Sequence, residues 1–175
     1  MKLFTIIAAL FMAISDIVIC DFSKNTPYNW RVTNDDVMGG ISTSSMKINS
    51  NNQGVFSGQV STENNGGFAM TRLKTEIEIS NKNKKVALYI KGDGKKYQFR
   101  IKSQRNKRYW YVQSFQTTMG EQKIELNLKD FYPSFRGYKL NKENFNANKI
   151  EEIAILIGNK KNENFKLEIK KILIE

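Results

Sequence analysis

Asp35 and Asp36 stand side by side in the string Trp30-Arg-Val-Thr-Asn34-Asp-Asp-Val-Met38-Gly39-Gly40-Ile-Ser42. Paired carboxylates can divide acid and base duties or hold a cation. Adjacency opposes that partnership, because successive side chains on a strand point to opposite faces and neighbours flank one bond only where the backbone turns. Gly39 and Gly40 supply residues for such a turn, since glycine takes positive φ without steric cost. Glycoside hydrolysis would need a second carboxyl about 5–9.5 Å away across a sugar, and Glu63 or Asp93 could provide it. The competing use of the pair is local, with Asn and Asp side chains hydrogen-bonding to the backbone of their own turn.

Four further blocks carry residues of chemical interest. Asn64-Asn65-Gly66-Gly67 lies between Val60-Ser-Thr62 and Phe68-Ala-Met70 and reads as a hairpin turn. Arg72 follows two pleats on, where it could hold an anion or pair with Asp35 or Asp36. Gly92-Asp-Gly-Lys95 invites a phosphate-loop reading, but the spacing is wrong and Lys96 stands where Ser or Thr is required, so an Asp-Gly turn accounts for it. From Lys95 to Trp110, seven basic residues interleave with Tyr97, Phe99, Tyr109 and Trp110, the mixture used by single-strand nucleic-acid binders. Parity places Tyr97 and Phe99 opposite Lys96, Arg100 and Lys102, so the aromatics read as core and the cations as a solvated face. No nucleic-acid partner is expected, while an anionic glycan or lipid surface could use that face. Phe131 to Gly137 sets three aromatics around Pro133, with Phe135 and Arg136 available to stack on a sugar or a protein, or to pin a loop.

Other chemistries are excluded by composition. Histidine is absent and Cys20 is the single cysteine. No intrachain disulfide, no Cys or His zinc site and no Ser-His-Asp or Cys-His arrangement can be assembled. No cofactor and no resident metal is expected. The net charge of +11 favours anionic partners, although abundant Lys, Asn and Ile make compositional bias an equal explanation. Lys2 and Asp16 cancel, so removing the first 20 residues leaves it unchanged.

Lys2 precedes an apolar run from Leu3 to Ile14 and a second patch from Ile17 to Ile19, which reads as a secretory signal too short to span a membrane. Cleavage after Ser15 places small residues at both recognition positions, and cleavage after Cys20 is a looser fit. Lipidation of Cys20 is disfavoured by the bulky Ile19 before it. The mature chain is therefore expected outside the cytoplasm, as a periplasmic, surface or secreted domain over residues 21–175 with no transmembrane segment.

Downstream, short alternating apolar runs separated by Gly, Asn, Asp and Ser clusters predict an all-β chain with mostly antiparallel strands, and the strand spacing points to a sandwich. Val86, Leu88 and Ile90 share one face, as do Tyr97, Phe99 and Ile101. Phe165, Leu167 and Ile169 set one parity and Ile172 and Ile174 the other, which predicts a one-residue bulge at Lys170-Lys171. Ile153 to Ile157 is apolar at every position and reads as a central strand covered on both faces. Asp130 to Asn148 reads as a long connection.

The blocks Trp30–Ser42, Phe56–Ser61, Asn64–Ala69 with Arg72, Gly92–Phe99 and Phe131–Gly137, taken in order, resemble the thirty-kilodalton complex I intermediate-associated protein family. The resemblance covers roughly Pro27 to Ile172 and implies a jelly-roll β-sandwich of the galactose-binding-like type. It also implies binding or assembly rather than catalysis: the best-known members help to assemble the mitochondrial NADH:ubiquinone oxidoreductase. The leader is not a mitochondrial transit peptide, so this chain departs from those members in its address. The resemblance further implies a partner-binding pocket with Trp30 and one of the two aspartates. Loops carrying Trp30, Asn34, Asp35, Asp36, Met38, Gly39, Gly40, Asn65, Gly66, Gly67, Arg72, Phe135 and Arg136 are expected to meet at one rim and hold a protein or a glycan. The rival functions are a carbohydrate-binding module and a hydrolase using Asp35 or Asp36.

Overall fold

The computed structural model describes residues 16–24 and 26–175. The leader expected over Leu3 to Ile14 lies outside the described residues. Thirteen strands appear among them: β1 (Ile17–Asp21), β2 (Arg31–Asn34), β3 (Thr43–Ile48), β4 (Gly54–Val60), β5 (Ala69–Glu78), β6 (Lys85–Asp93) and β7 (Lys96–Lys102). They continue with β8 (Trp110–Gln116), β9 (Met119–Asn127), β10 (Tyr132–Phe135), β11 (Tyr138–Lys139), β12 (Lys149–Ile157) and β13 (Glu163–Ile174). One sheet runs β3-β4-β13-β6-β9, with β1 also on β13; the other runs β11-β10-β8-β7-β12-β5-β2. Every pairing is antiparallel. This is the expected jelly-roll sandwich.

Period-two alternation builds the core between the sheets. Leu88 and Ile90 of one sheet meet Phe99, Ile101, Ile153 and Ile155 of the other in a single buried cluster. Each such side chain contributes about 1.5–3 kcal/mol by leaving water. Phe99 stands edge-on to Phe131 at 6.2 Å, which ties β7 to the segment before β10. The predicted bulge is present: the register of β13 on β6 shifts between Ile169 and Lys171, keeping Ile169 and Ile172 both inward. Ile153–Ile157 is central, flanked by β5 and β7.

Four expectations are corrected. Asn64–Gly67 does not close a hairpin, because β4 and β5 belong to different sheets. The segment crosses from one sheet to the other, with Asn64, Asn65 and Gly67 at φ of 53°, 60° and 132°. Gly92–Gly94 likewise carries the chain between sheets, from β6 to β7. The connection expected over Asp130–Asn148 contains the β10–β11 hairpin, turned by Arg136 and Gly137 at positive φ. Finally, the sandwich begins before Asp21, since β1 pairs with β13 and Cys20 is fully buried.

Candidate functional site

Asn34-Asp-Asp-Val-Met38 links β2 in one sheet to β3 in the other, and Asp35–Met38 forms a short 3-10 turn ended by Gly39 at φ 90°. Asp35 is wholly buried there. Its carboxylate accepts the Ser42 backbone N–H at 3.0 Å, the Ser42 hydroxyl at 2.5 Å, and the N–H groups of Gly67 and Phe68 at 2.6 and 3.1 Å. Burial alone would raise its pKa, but the Ser42 hydroxyl and the three backbone donors outweigh that and hold it below the usual carboxylate value. The Ser42 bonds are those of its own turn, while the Gly67 and Phe68 bonds reach 32 and 33 residues along the chain. Burial and these four donors commit Asp35 to structure.

Asp36 is exposed, and Val37, Met38 and Ile41 stand 71%, 57% and 51% exposed beside it. Asn34 accepts the Ser44 hydroxyl at 2.6 Å. Gly40 packs so tightly on Asp35 and Gly66 that a Cβ would fall on the carboxyl group. Asn34–Gly40 and Asn65–Gly67 therefore do converge on one rim. Asn162 joins them by accepting from Thr62, and Asn159 reaches the Lys96 carbonyl, so neighbouring crossovers share that end. Asp93 stitches its own crossover in the same manner, accepting from Lys95, Tyr97 and Lys166.

The remaining expected residues lie elsewhere. Trp30 sits before β2, four positions or roughly 13 Å from Asn34 along an extended chain, and packs on the main core. Phe135 ends β10 and Arg136 turns the chain into β11, the edge strand opposite β2, and Arg108 and Arg136 both lie over the Phe135 ring. Arg72 pairs with neither Asp35 nor Asp36. Its Nε and Nη2 donate to Oε1 of Glu152 at 2.9 and 2.7 Å.

Arg72 marks the second place of interest, the face of the seven-stranded sheet turned away from the core. Cross-strand register aligns Arg31, Arg72, Ala154, Arg100, Val112 and Tyr132 in one row. Met70, Trp110, Val112, Ala154 and Leu156 form a second buried cluster there, with Phe68 and Tyr132 against it. Lys102 Nζ lies 4.8 Å over the Trp110 ring and the Arg72 guanidinium 5.4 Å from it, both cation–π contacts. The expected solvated cation face is thus corrected: Lys102 is 8% exposed and Arg100 half-buried, because Trp110, Leu156 and Tyr132 crowd the same surface. Burial pulls the Arg100 guanidinium down to about 10, a drop that Tyr132 partly opposes, and it lowers Lys102 as well. Arg100 stays charged at neutral pH. A shallow hollow of about 290 Å³, lined by Gln98, Ser114, Leu156 and Lys160 among others, opens at the rim end of this face.

Sequence reasoning missed Glu152, Gln98 and the outward aim of Trp110. The signals were the Glu151-Glu152 pair beside the apolar Ile153–Ile157 run, and apolar residues at both parities of that run, which require cover on the outer side too. Among the described residues no cluster of three or more acidic or cysteine side chains could hold a metal, and no helix is long and apolar enough to cross a membrane.

Solved structures share this architecture. A family 11 carbohydrate-binding module from Clostridium thermocellum, in complex with a β-1,3-1,4-mixed-linked tetrasaccharide, superposes with a TM-score of 0.70 at 21% identity, covering 91% of this chain and 95% of that one. The family 11 module of the cellulosomal cellulase Lic26A-Cel5E of Clostridium thermocellum gives 0.68 at 18% identity over 93% and 95%. An agarase, AgWH50C, gives 0.58 at 11% identity over 91% of this chain and 24% of that one. At these identities the likeness establishes the fold. No curated protein matches the chain. Residues 20–169 match the family described as Complex I intermediate-associated protein 30 (CIA30), and with the turn sequence, the crossovers and the jelly roll in agreement, the chain belongs to that family.

Proposed function

We propose that this chain is an exported, non-catalytic binding domain that captures a glycan on the outer face of its seven-stranded sheet. The observation that carries this reading is the row Arg31, Arg72, Arg100 and Tyr132 with Trp110 and Lys102 beside it, a surface that combines rings with fixed donors. The partly exposed Tyr132 ring offers apolar area to a sugar face, the buried Trp110 holds Arg72 and Lys102 in place beneath, and the guanidinium groups fix hydroxyl or acidic substituents. The carbohydrate-binding modules that share the fold support the reading by analogy. Asp35 is committed to four structural hydrogen bonds, which speaks against a carboxylate pair and for binding without turnover. A glycan array followed by calorimetry tests the reading: free glycan should bind, and turnover screens should show no hydrolysis that Asp36→Asn abolishes.

A second reading, closer to the assembly role of the family, has its own observation. Val37, Met38 and Ile41 form an exposed apolar group on the rim, beside edge strand β2. Such a group fits a protein partner docking on the Asn34–Gly40 turn. Affinity capture with wild type and Met38→Ser separates the two, since only a rim-bound protein would be lost in the variant.

A further inference from the structure

The outer face holds more positive charge than it can neutralise. Arg72 on β5 and Arg100 and Lys102 on β7 flank β12, which places the carboxylate of Glu152 between them. Glu152 is 3% exposed and receives both Arg72 donors. Arg100 instead spends Nε and Nη2 on the neutral Oε1 of Gln98, at 3.1 and 2.6 Å. Lys102 donates to the Arg105 carbonyl at 3.2 Å. Neither Arg100 nor Lys102 forms an ion pair among the described residues.

Charge withdrawn from water is costly unless an opposite charge meets it. A fold that keeps two such cations beside Trp110 and Tyr132, with exposed Arg31 in the same row, is complementary to an anion presented on a ring-bearing polymer. The planar guanidinium matches carboxylate and sulfate geometry with paired hydrogen bonds. A net charge of +11 steers polyanions toward the molecule. We propose that the outer face selects acidic glycans, polymers carrying uronate or sulfate groups, over neutral ones. This rests on the glycan reading above and adds the ligand's charge to it.

Calorimetry on the full chain tests the proposal with sodium polygalacturonate, dextran sulfate, neutral mixed-linked β-glucan and polyglutamate. Polygalacturonate or dextran sulfate should bind at least about tenfold more tightly than the neutral glucan. That margin should shrink between roughly 0.05 and 0.5 M salt. Arg100→Gln should abolish it, and Glu152→Gln, which keeps an acceptor for Arg72, should preserve or widen it. If Arg100→Gln fails to fold, Arg31→Ser, at an exposed edge position, should still narrow the margin between acidic and neutral glycans several-fold. Equal, salt-insensitive binding of neutral and acidic glycans would overturn the inference while leaving the glycan reading standing. Polyglutamate binding as tightly as polygalacturonate would overturn it in favour of an acidic polypeptide. Absence of binding to all three glycans would bring down the parent reading as well.

Discussion

Gly67 donates its backbone N–H to Asp35 Oδ2 at 2.6 Å, joining two sheet crossovers that are 32 residues apart in the chain. With Phe68 and Ser42 donating to the same carboxylate, Asp35 acts as the staple of the rim. Asp35→Asn should lower stability by about 2–4 kcal/mol, since charge-assisted bonds weaken and one donor loses its acceptor. Urea unfolding checks this. A loss below about 0.5 kcal/mol would contradict the stapling role.

The same carboxylate sets an acid limit. Its folded pKa lies below the unfolded value of about 3.9, so its contribution to stability is complete above that value and disappears as pH falls through the folded pKa. The wild type should lose stability below about pH 4, and Asp35→Asn should flatten that limb of the profile. Thermal midpoints between about pH 2 and pH 6 give the comparison.

Adjacent glycines of the turn should respond differently. Gly39 has φ of 90° with open space where a Cβ would project, so Gly39→Ala should cost about 1 kcal/mol of backbone strain. Gly40→Ala would press a methyl group onto Asp35 and the Gly66 backbone, and should cost about 2–4 kcal/mol. Equal losses in the two variants would sink this account of the turn.

Strand β1 bears on processing. Cleavage after Ser15 keeps Ile17–Asp21 on β13, whereas cleavage after Cys20 removes it with the buried Ile19 and Cys20. Export of the native precursor should therefore yield a chain starting at Asp16, read by N-terminal sequencing. Burial pushes the Cys20 thiol up to about 12, so the folded protein should resist thiol reagents at pH 8 until denaturant is added. Prompt labelling would place Cys20 outside the sheet.

Strands β6, β7 and β13 were legible because each carries its own period-two pattern, down to the parity change at Lys170-Lys171 that forecast the β13 bulge, whereas β1 lay hidden in the leader and β10 and β11 in the long connection. Sheet membership was not, since nothing local distinguishes a hairpin turn at Asn64–Gly67 from a crossover; the bond from Gly67 to Asp35 does so from far along the chain. The turn residues Asn34–Gly40 read correctly as a unit, within which the buried Asp35 serves as framework. The outer face stayed hidden for the same reason in reverse. Lys102 and Arg100 look solvated in a strand read alone, and only the neighbouring strands bring Trp110, Leu156 and Tyr132 alongside them.

The central claim is that ligand sits on the outer face of the seven-stranded sheet, and amide and indole chemical-shift mapping during a polygalacturonate titration tests it most directly. Signals of Gln98, Arg100, Tyr132 and the Trp110 indole should move together and saturably. Shifts confined to Val37, Met38, Ile41 and Gly66, with those four silent, would contradict it and hand the function to the rim.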